Sequence, residues 1–272
     1  MSVVAEKLDF CDPVWTALRA QAEELVHDEP SLASFAHATI LKHERLEDAL
    51  SYLLAKKAGS DEVGPMLTRE IFEEAMRAAP DIGDAARADL SAIFERDPAC
   101  HSYAQAFLFF KGFHALQCYR VAHWLWNAKR DWLAYFLQSR VSELFAVDIH
   151  PAARIGRGIL MDHATGIVIG ETAVVEDDVS MLHGVTLGGT GKETGDRHPK
   201  IRRGVLLSVG AKVLGNIEVG EYSRVGAGSL VLRPVPPHCT AAGVPAKVIG
   251  CAGSERPSQD MKQCLDGLDF QI

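Results

Sequence analysis

No run of this chain is apolar enough to cross a membrane. The longest apolar stretch, Ala104 to Trp126, contains Lys111, His114, Arg120 and His123, which fits a buried or interfacial helix. Positive charge is in deficit: with a net charge of −8, neither a nucleic-acid footprint nor a polybasic membrane patch is expected. The N-terminus lacks a basic region, an apolar core and a small-residue cleavage site, so no secretory signal is expected and a cytoplasmic location follows. Cysteine is sparse: the six residues at 11, 100, 118, 239, 251 and 264 form no CxxC pair and no framework, so reduced thiols are expected. Glycine is nearly absent from one half and aromatics from the other. Only Gly59, Gly64, Gly83 and Gly112 of the 23 glycines precede residue 149, whereas all four tryptophans and every phenylalanine but Phe270 do. The chain therefore changes character near Val147.

What the C-terminal half has is metre. An aliphatic residue recurs every six positions from Ile149 through Ile155, Met161, Ile167, Ala173, Val179 and Val185. A ten-residue interruption, Gly191 to Lys200, follows, and the count resumes at Ile201, Leu207, Val213, Val219, Val225 and Val231. Neither an α-helix nor a hairpin strand repeats by six; a parallel β-helix does. Each hexapeptide is a short strand plus a corner, and three close a coil of about eighteen residues, with periodic side chains stacked roughly 4.8 Å apart.

The N-terminal half reads as helices. Asp12-Pro13 is an N-cap followed by a first-turn proline, opening a helix to about His27. Further helices are expected over Thr39–Lys57, Thr68–Ala79, Asp84–Arg96, Tyr103–Lys129 and Asp131–Ala146, the last two apolar on several sides and so packed against other helices or another subunit. The expected class is α+β: an all-α domain over 1–146, a hexapeptide-repeat β-helix over 147–253 with a protruding loop at 191–200, and a flexible C-terminal tail, 254–272.

Two polar clusters lack an obvious duty in such a coil. Asp148, Asp162 and His163 form the first. A histidine takes a proton near neutral pH, and a carboxylate can fix its tautomer; Asp148 and His163 lie fifteen apart, close to one coil. The alternative is a junction aspartate and a surface histidine. The second cluster is the loop GKETGDRHPK, where Arg197 offers a fork for a carboxylate and His198 and Lys200 add donors; the alternative is a solvated insertion. His163, His183 and His198 could supply three imidazoles to zinc, but they sit at no simple multiple of the coil length, and no metal site is expected.

DIHPAARIGRGILMDHATGIVIGETA, LHGVTLGGTGKETGDRHPKI and GAGSLVLRPVPPHCTAAGVPAKVIG, with the RDPA tetrapeptide at Arg96–Ala99, resemble the bacterial and plant serine O-acetyltransferases. The resemblance covers most of the chain. It implies a left-handed coil, a handedness that composition and spacing do not supply, and transfer of acetyl from acetyl-CoA to the L-serine hydroxyl in cysteine biosynthesis. His163 matches the family's general base and Asp148 its orienting carboxylate. Asp97 and Asp162 match acids that receive the substrate ammonium, and Arg197 and His198 match residues that hold its carboxylate. Gly188, Gly189, Thr190, Ala227 and Gly228 match the strip facing the pantetheine arm, and Lys247 is a candidate for the CoA phosphates. The resemblance further implies L-cysteine as a feedback inhibitor and a homotrimer or dimer of trimers (a homohexamer). Ile272 is implied to dock the tail into O-acetylserine sulfhydrylase. No metal, nucleic acid or membrane partner is implied.

Overall fold

The computed structural model describes residues 12–191, 193–251 and 254–263. Among the described residues, eight α-helices precede the strands: α1 (Pro13–Asp28), α2 (Ala33–Ala36), α3 (Leu46–Ala58), α4 (Pro65–Ala78), α5 (Asp81–Arg96), α6 (Tyr103–Phe109), α7 (Lys111–Asn127) and α8 (Asp131–Phe145). Among the described residues, none is long and apolar enough to cross a membrane. The Asp12 side chain accepts the Trp15 N–H at 3.0 Å and opens α1 as expected. Leu18, Ile40, Leu50, Phe72 and Leu90 lie in one core that is continuous with the interior of the strand region.

Two expected helices are each broken in two. The stretch Thr39–Lys57 is a π-helical turn, His37–Leu41, then a gap, then α3. Side chains of α1 capture the carbonyls of the gap: Arg19 Nη1 donates to Leu41 O and His43 O, and Trp15 Nε1 donates to Glu44 O at 2.8 Å. Those carbonyls are satisfied outside a helix, so the helix stops. The stretch Tyr103–Lys129 is broken at Phe110, which is extended (φ −84°, ψ 109°). His114 on α7 turns a ring nitrogen onto Phe107 O of α6 at 2.7 Å. The break aims the start of α7 at the strands, where a β-carbon on Gly112 would lie 2.1 Å from Met161 O; only glycine permits that approach.

The strands wind into a parallel β-solenoid of about five turns. One face stacks Val147–Ile149, Ile167–Ile169, Thr186–Gly188, Lys212–Leu214 and Leu230–Val231. The second stacks Arg154–Ile155, Val174–Val175, Lys200–Ile201 and Glu218–Val219. The third stacks Leu160–Asp162, Ser180–Leu182, Leu206–Leu207, Arg224–Val225 and Thr240–Gly243.

The pairing register corrects the expected metre. Val147 pairs with Ile167, Val168 with Thr186, Thr186 with Lys212 and Lys212 with Leu230, steps of 20, 18, 26 and 18 residues. The first coil thus carries two residues beyond eighteen, and the loop adds eight, not ten. Met161 stacks on Met181, and Ile149 on Ile169, so the extra pair falls in the corner Asp162–Gly166. Ile167, Ala173, Val179 and Val185 belong to a second inward position, two residues earlier in each hexapeptide, and they too are buried. An aliphatic residue at either position satisfies a six-residue count, which hid the phase slip.

A last strand, Ala246–Gly250, turns back antiparallel on Thr240–Gly243. This return sets residue 251 opposite 239, and Cys239 and Cys251 are joined as a disulfide. The expectation of reduced thiols is wrong for this pair, because a twelve-residue spacing says nothing of a hairpin ending with a register shift. Cys100 and Cys118 are free and buried. Of the segment read as a flexible tail, residues 254–263 are described. They include a short helix, α9 (Pro257–Asp260), with Pro257 and Ser258 buried and Ser180 Oγ donating to Ser258 O at 2.7 Å. Ile272 and Cys264 lie outside the described residues.

Candidate active site

A cavity of about 870 Å³ opens between the end of α5, the start of α7, the third solenoid face and the segment around α9; Asp97, Asp162 and His163 line it. Asp97 is the first residue past α5, in extended backbone, and its Oδ1 accepts the Ala99 N–H at 2.8 Å. Asp162 ends its strand, and the two-residue excess of the corner follows at once. His163 and Ala164 take φ of +53° and +59°. Left-handed backbone at two consecutive non-glycine residues is strained, and such strain is concentrated at functional sites. The strain turns the imidazole outward, 75% exposed, with Nε2 3.9 Å from Asp162 Oδ1. Burial raises the Asp162 carboxyl above its ordinary pKa; His163 opposes the rise and Asp97 adds to it.

His183 stands beside His163, ring centroids 5.8 Å apart and nearly perpendicular. Its Nδ1 is buried without a hydrogen-bond partner. An eighteen-residue coil gives the two histidines no relation, but in a twenty-residue coil they are one turn apart, as the pairing of Asp162 with Leu182 shows. The coil length was the missing signal.

Asp148 does not meet His163 in this chain. It projects outward from the first face between two buried neighbours, and its Oδ1 accepts Gln138 Nε2 of α8 at 2.7 Å. Among the described residues, the carboxylate within 4 Å of His163 is that of Asp162. The fifteen-residue spacing misleads because Asp148 is level with Val168 in the next coil, five residues beyond the His163 corner.

Arg197 and His198 stand on another edge of the prism, where the first face passes to the second. Arg197 Nη2 donates to Glu171 Oε2 at 2.6 Å. Thr172 Oγ1 accepts the backbone N–H groups of Arg197 and His198 at 3.0 and 3.1 Å. The Thr172 N–H donates to His198 Nδ1 at 3.2 Å, which makes the ring a neutral Nε2–H tautomer. Burial, then Arg197, lowers its pKa, the same direction as the Thr172 N–H on Nδ1, which leaves Nε2–H as the donor. A β-carbon on Gly170 would lie 2.0 Å from His198 Nε2; glycine makes the niche. Lys200 Nζ ties the loop's end to Thr172 O and Asp196. The loop is pinned by Glu171 and Thr172, two anchors that sequence reasoning missed because each resembles an ordinary corner residue.

The candidate cofactor strip is likewise split. Ala227 and Gly228 are exposed on the His163 edge. There Gly166, Gly184, Gly210 and Gly228 succeed one another from coil to coil, and β-carbons on the first two would come within 3.7 and 3.3 Å of the next glycine's Cα. That makes a flat rail without side chains. Gly188, Gly189 and Thr190 lie on the loop edge, and Lys247 is exposed on the last strand.

The helical part, residues 14–118, matches the family described as serine acetyltransferase, N-terminal. A serine acetyltransferase of Salmonella typhimurium strain LT2 is 59% identical over 255 residues, 94% of this chain and 93% of the relative. The chain belongs to the serine acetyltransferase family. These are acetyl-CoA-dependent acyltransferases. A solved serine acetyltransferase from Brucella abortus strain S19, in complex with coenzyme A, shares 52% identity and superposes with a TM-score of 0.88, over 90% of this chain and 98% of that one. Another, in complex with cysteine, shares 55% identity with a TM-score of 0.91, over 92% and 98%.

Proposed function

We propose that this chain acetylates the hydroxyl of L-serine by direct attack, with His163 as general base. The observation that carries the reading is the strained, exposed imidazole of His163 at the mouth of a cavity that also holds Asp97 and Asp162. A serine hydroxyl is a weak nucleophile at neutral pH. His163 takes its proton as the oxygen bonds to the thioester carbonyl carbon; the C–S bond then breaks, and the imidazolium returns the proton to the CoA sulfur. Asp97 and Asp162 receive the substrate ammonium. His183, beside His163, is the candidate donor toward negative charge on the carbonyl oxygen. Asp148 is the orienting acid that the family resemblance assigns to His163, a role that requires it to leave Gln138.

An amino-acid substrate also needs a cation for its carboxylate, and Arg197 with His198 is the matching set. One chain holds these on a different edge from His163. The full site therefore combines the His163 edge of one copy with the loop edge of a neighbour, which is the geometry of a trimer. The glycine rail and the strip Gly188–Thr190 then face each other as two walls for the pantetheine arm. A dimer of trimers, a cytoplasmic location and a place in cysteine biosynthesis complete the reading. L-cysteine differs from serine by one atom and fits the same anchors, so it competes with serine; a relative crystallised with cysteine supports this. Docking of a sulfhydrylase on Ile272 belongs to the same reading.

Release of free thiol from acetyl-CoA, followed across L-serine, homoserine and a sugar acceptor, tests the reaction. Serine should be preferred and L-cysteine should raise its apparent KM. Equal rates on all three, or no release, would overturn the reading.

A further inference from the structure

We propose that Asp89, outside the cavity, is a positioning residue that sets the gap between Asp97 and the His163 corner; the inference rests on the serine acetyl-transfer reading. Asp89 lies within α5 and is completely buried. Its Oδ1 accepts the N–H of Ile159 at 2.9 Å. Its Oδ2 accepts Gln117 Nε2 at 2.9 Å and Arg120 Nη2 and Nε at 2.7 and 3.2 Å. Arg120 continues to the carbonyls of Gly156 at 2.8 Å and Ile155 at 3.4 Å. One carboxylate thus binds α5, α7 and a corner of the first coil into a single body.

Both walls of the cavity lead away from this knot. From Ile159 the chain runs without a break through Leu160–Asp162 into His163. From Asp89 the helix runs eight residues to Asp97, about 12 Å at the α-helical rise. Arg96, next to Asp97, makes a second tie with Nη1 to Gly158 O at 2.9 Å. The two aspartates that frame the ammonium position are therefore held at a distance fixed from Asp89. An apolar contact would fill the same space but could slide; four directional hydrogen bonds to one anion cannot. Packing alone does not call for a buried ion pair here, because apolar replacements of such pairs are often as stable. Geometry does.

Asp89→Asn keeps the shape but offers one acceptor oxygen. Whichever end the amide presents to Arg120, its NH₂ meets a donor, either the guanidinium or the Ile159 N–H, so α5 must shift against the corner. In the full-length assembled enzyme, KM for serine should rise about tenfold, with kcat and KM for acetyl-CoA within about twofold of wild type, as misplacement of a substrate anchor predicts. Should that protein fail to fold, Arg120→Lys provides the second test: it keeps the charge beside Asp89 but cannot also span to Gly156 O, and should raise serine KM in the same selective way by a smaller factor. A wild-type serine KM in folded variants would overturn the proposal, as would equal rises for both substrates with a lower Tm, the mark of a purely structural role. Absence of serine acetylation in the wild-type enzyme is a different outcome, which would overturn the functional reading first.

Discussion

Two edges of one solenoid depart from its rhythm by insertion, and they do so in opposite ways. At one edge two extra residues make a tight corner, force left-handed backbone at His163 and Ala164, and leave an imidazole 75% exposed. At the other, eight extra residues make a loop whose histidine, His198, is only 7% exposed, with Thr172 bound to its Nδ1. The short excess presents an exposed imidazole; the long excess shields one and sets the Thr172 N–H on its Nδ1. Size of insertion is a poor guide to reactivity, and backbone strain with unmatched polar atoms is a better one.

The largest effect that would break this contrast is on the exposed side. His163→Ala removes the proposed base and should lower kcat by about 10²–10⁴ while leaving folding and acetyl-CoA binding intact, measured by thiol release and by ligand titration. Retention of more than about a tenth of kcat would remove His163 from the chemistry.

Next in size is the dependence of one edge on the other. Arg197→Leu should lower kcat/KM for serine by about 10²-fold, as expected for loss of a charge-paired anchor. The sharper test mixes chains. If His163 and Arg197 of one site come from neighbouring copies in a ring, random trimers of His163→Ala and Arg197→Leu chains regain about a quarter of wild-type sites. If both come from one chain, none is regained. Activity after co-refolding equal amounts of the two variants decides between them.

A smaller effect is expected from Gly170→Ala. The added methyl occupies the place of the His198 ring, 2.0 Å from its Nε2, and pushes it off Thr172. Serine KM should rise about tenfold from the displaced donor, and Tm should fall modestly through overpacking. An unchanged serine KM would show that the niche serves the loop's fold alone.

The sequence made the architecture legible because its strongest signal is a period. Most hexapeptides bury an aliphatic group twice, at positions such as Val179 and Met181, so the solenoid and the loop stood out without coordinates. The same redundancy concealed the phase: the count could pass from Met161 to Ile167 without failing, although the chain stacks Ile169 in that column. The two-residue excess was lost with it, and so was the relation between His163 and His183. The helix breaks were illegible for another reason. Loss of helix at 42–45 is decided by Trp15 and Arg19, which lie 29 and 24 residues from the carbonyls of Glu44 and His43, and the break at Phe110 accompanies Gly112 meeting Met161. Local propensity does not report such captures. The Cys239–Cys251 bond depended on a hairpin return that runs against the parallel pattern of every coil before it. At the site, the residues that bear charge were legible as types, while their partners, Gln138 on Asp148 and Glu171 on Arg197, were not.

The smallest expected effect concerns Asp162, which belongs to the exposed edge yet is itself half-buried. Burial holds its carboxyl above the ordinary carboxylate range, so its charge is the disfavoured form in the folded protein. A carboxyl with a raised folded pKa lends stability below its unfolded pKa and loses that contribution as pH rises through the folded value. Asp162→Asn should therefore be at least as stable as wild type at neutral pH, and the difference should vanish in acid, as followed by Tm against pH. Activity should move the other way. The ammonium of serine needs the ionised acid, so wild-type kcat/KM for serine should fall on the acid side as Asp162 takes up a proton. In Asp162→Asn that contribution to the limb should be lost, with a raised serine KM throughout. If the variant is less stable than wild type at neutral pH, the carboxylate is a structural anchor, and the ammonium must be held by Asp97 alone.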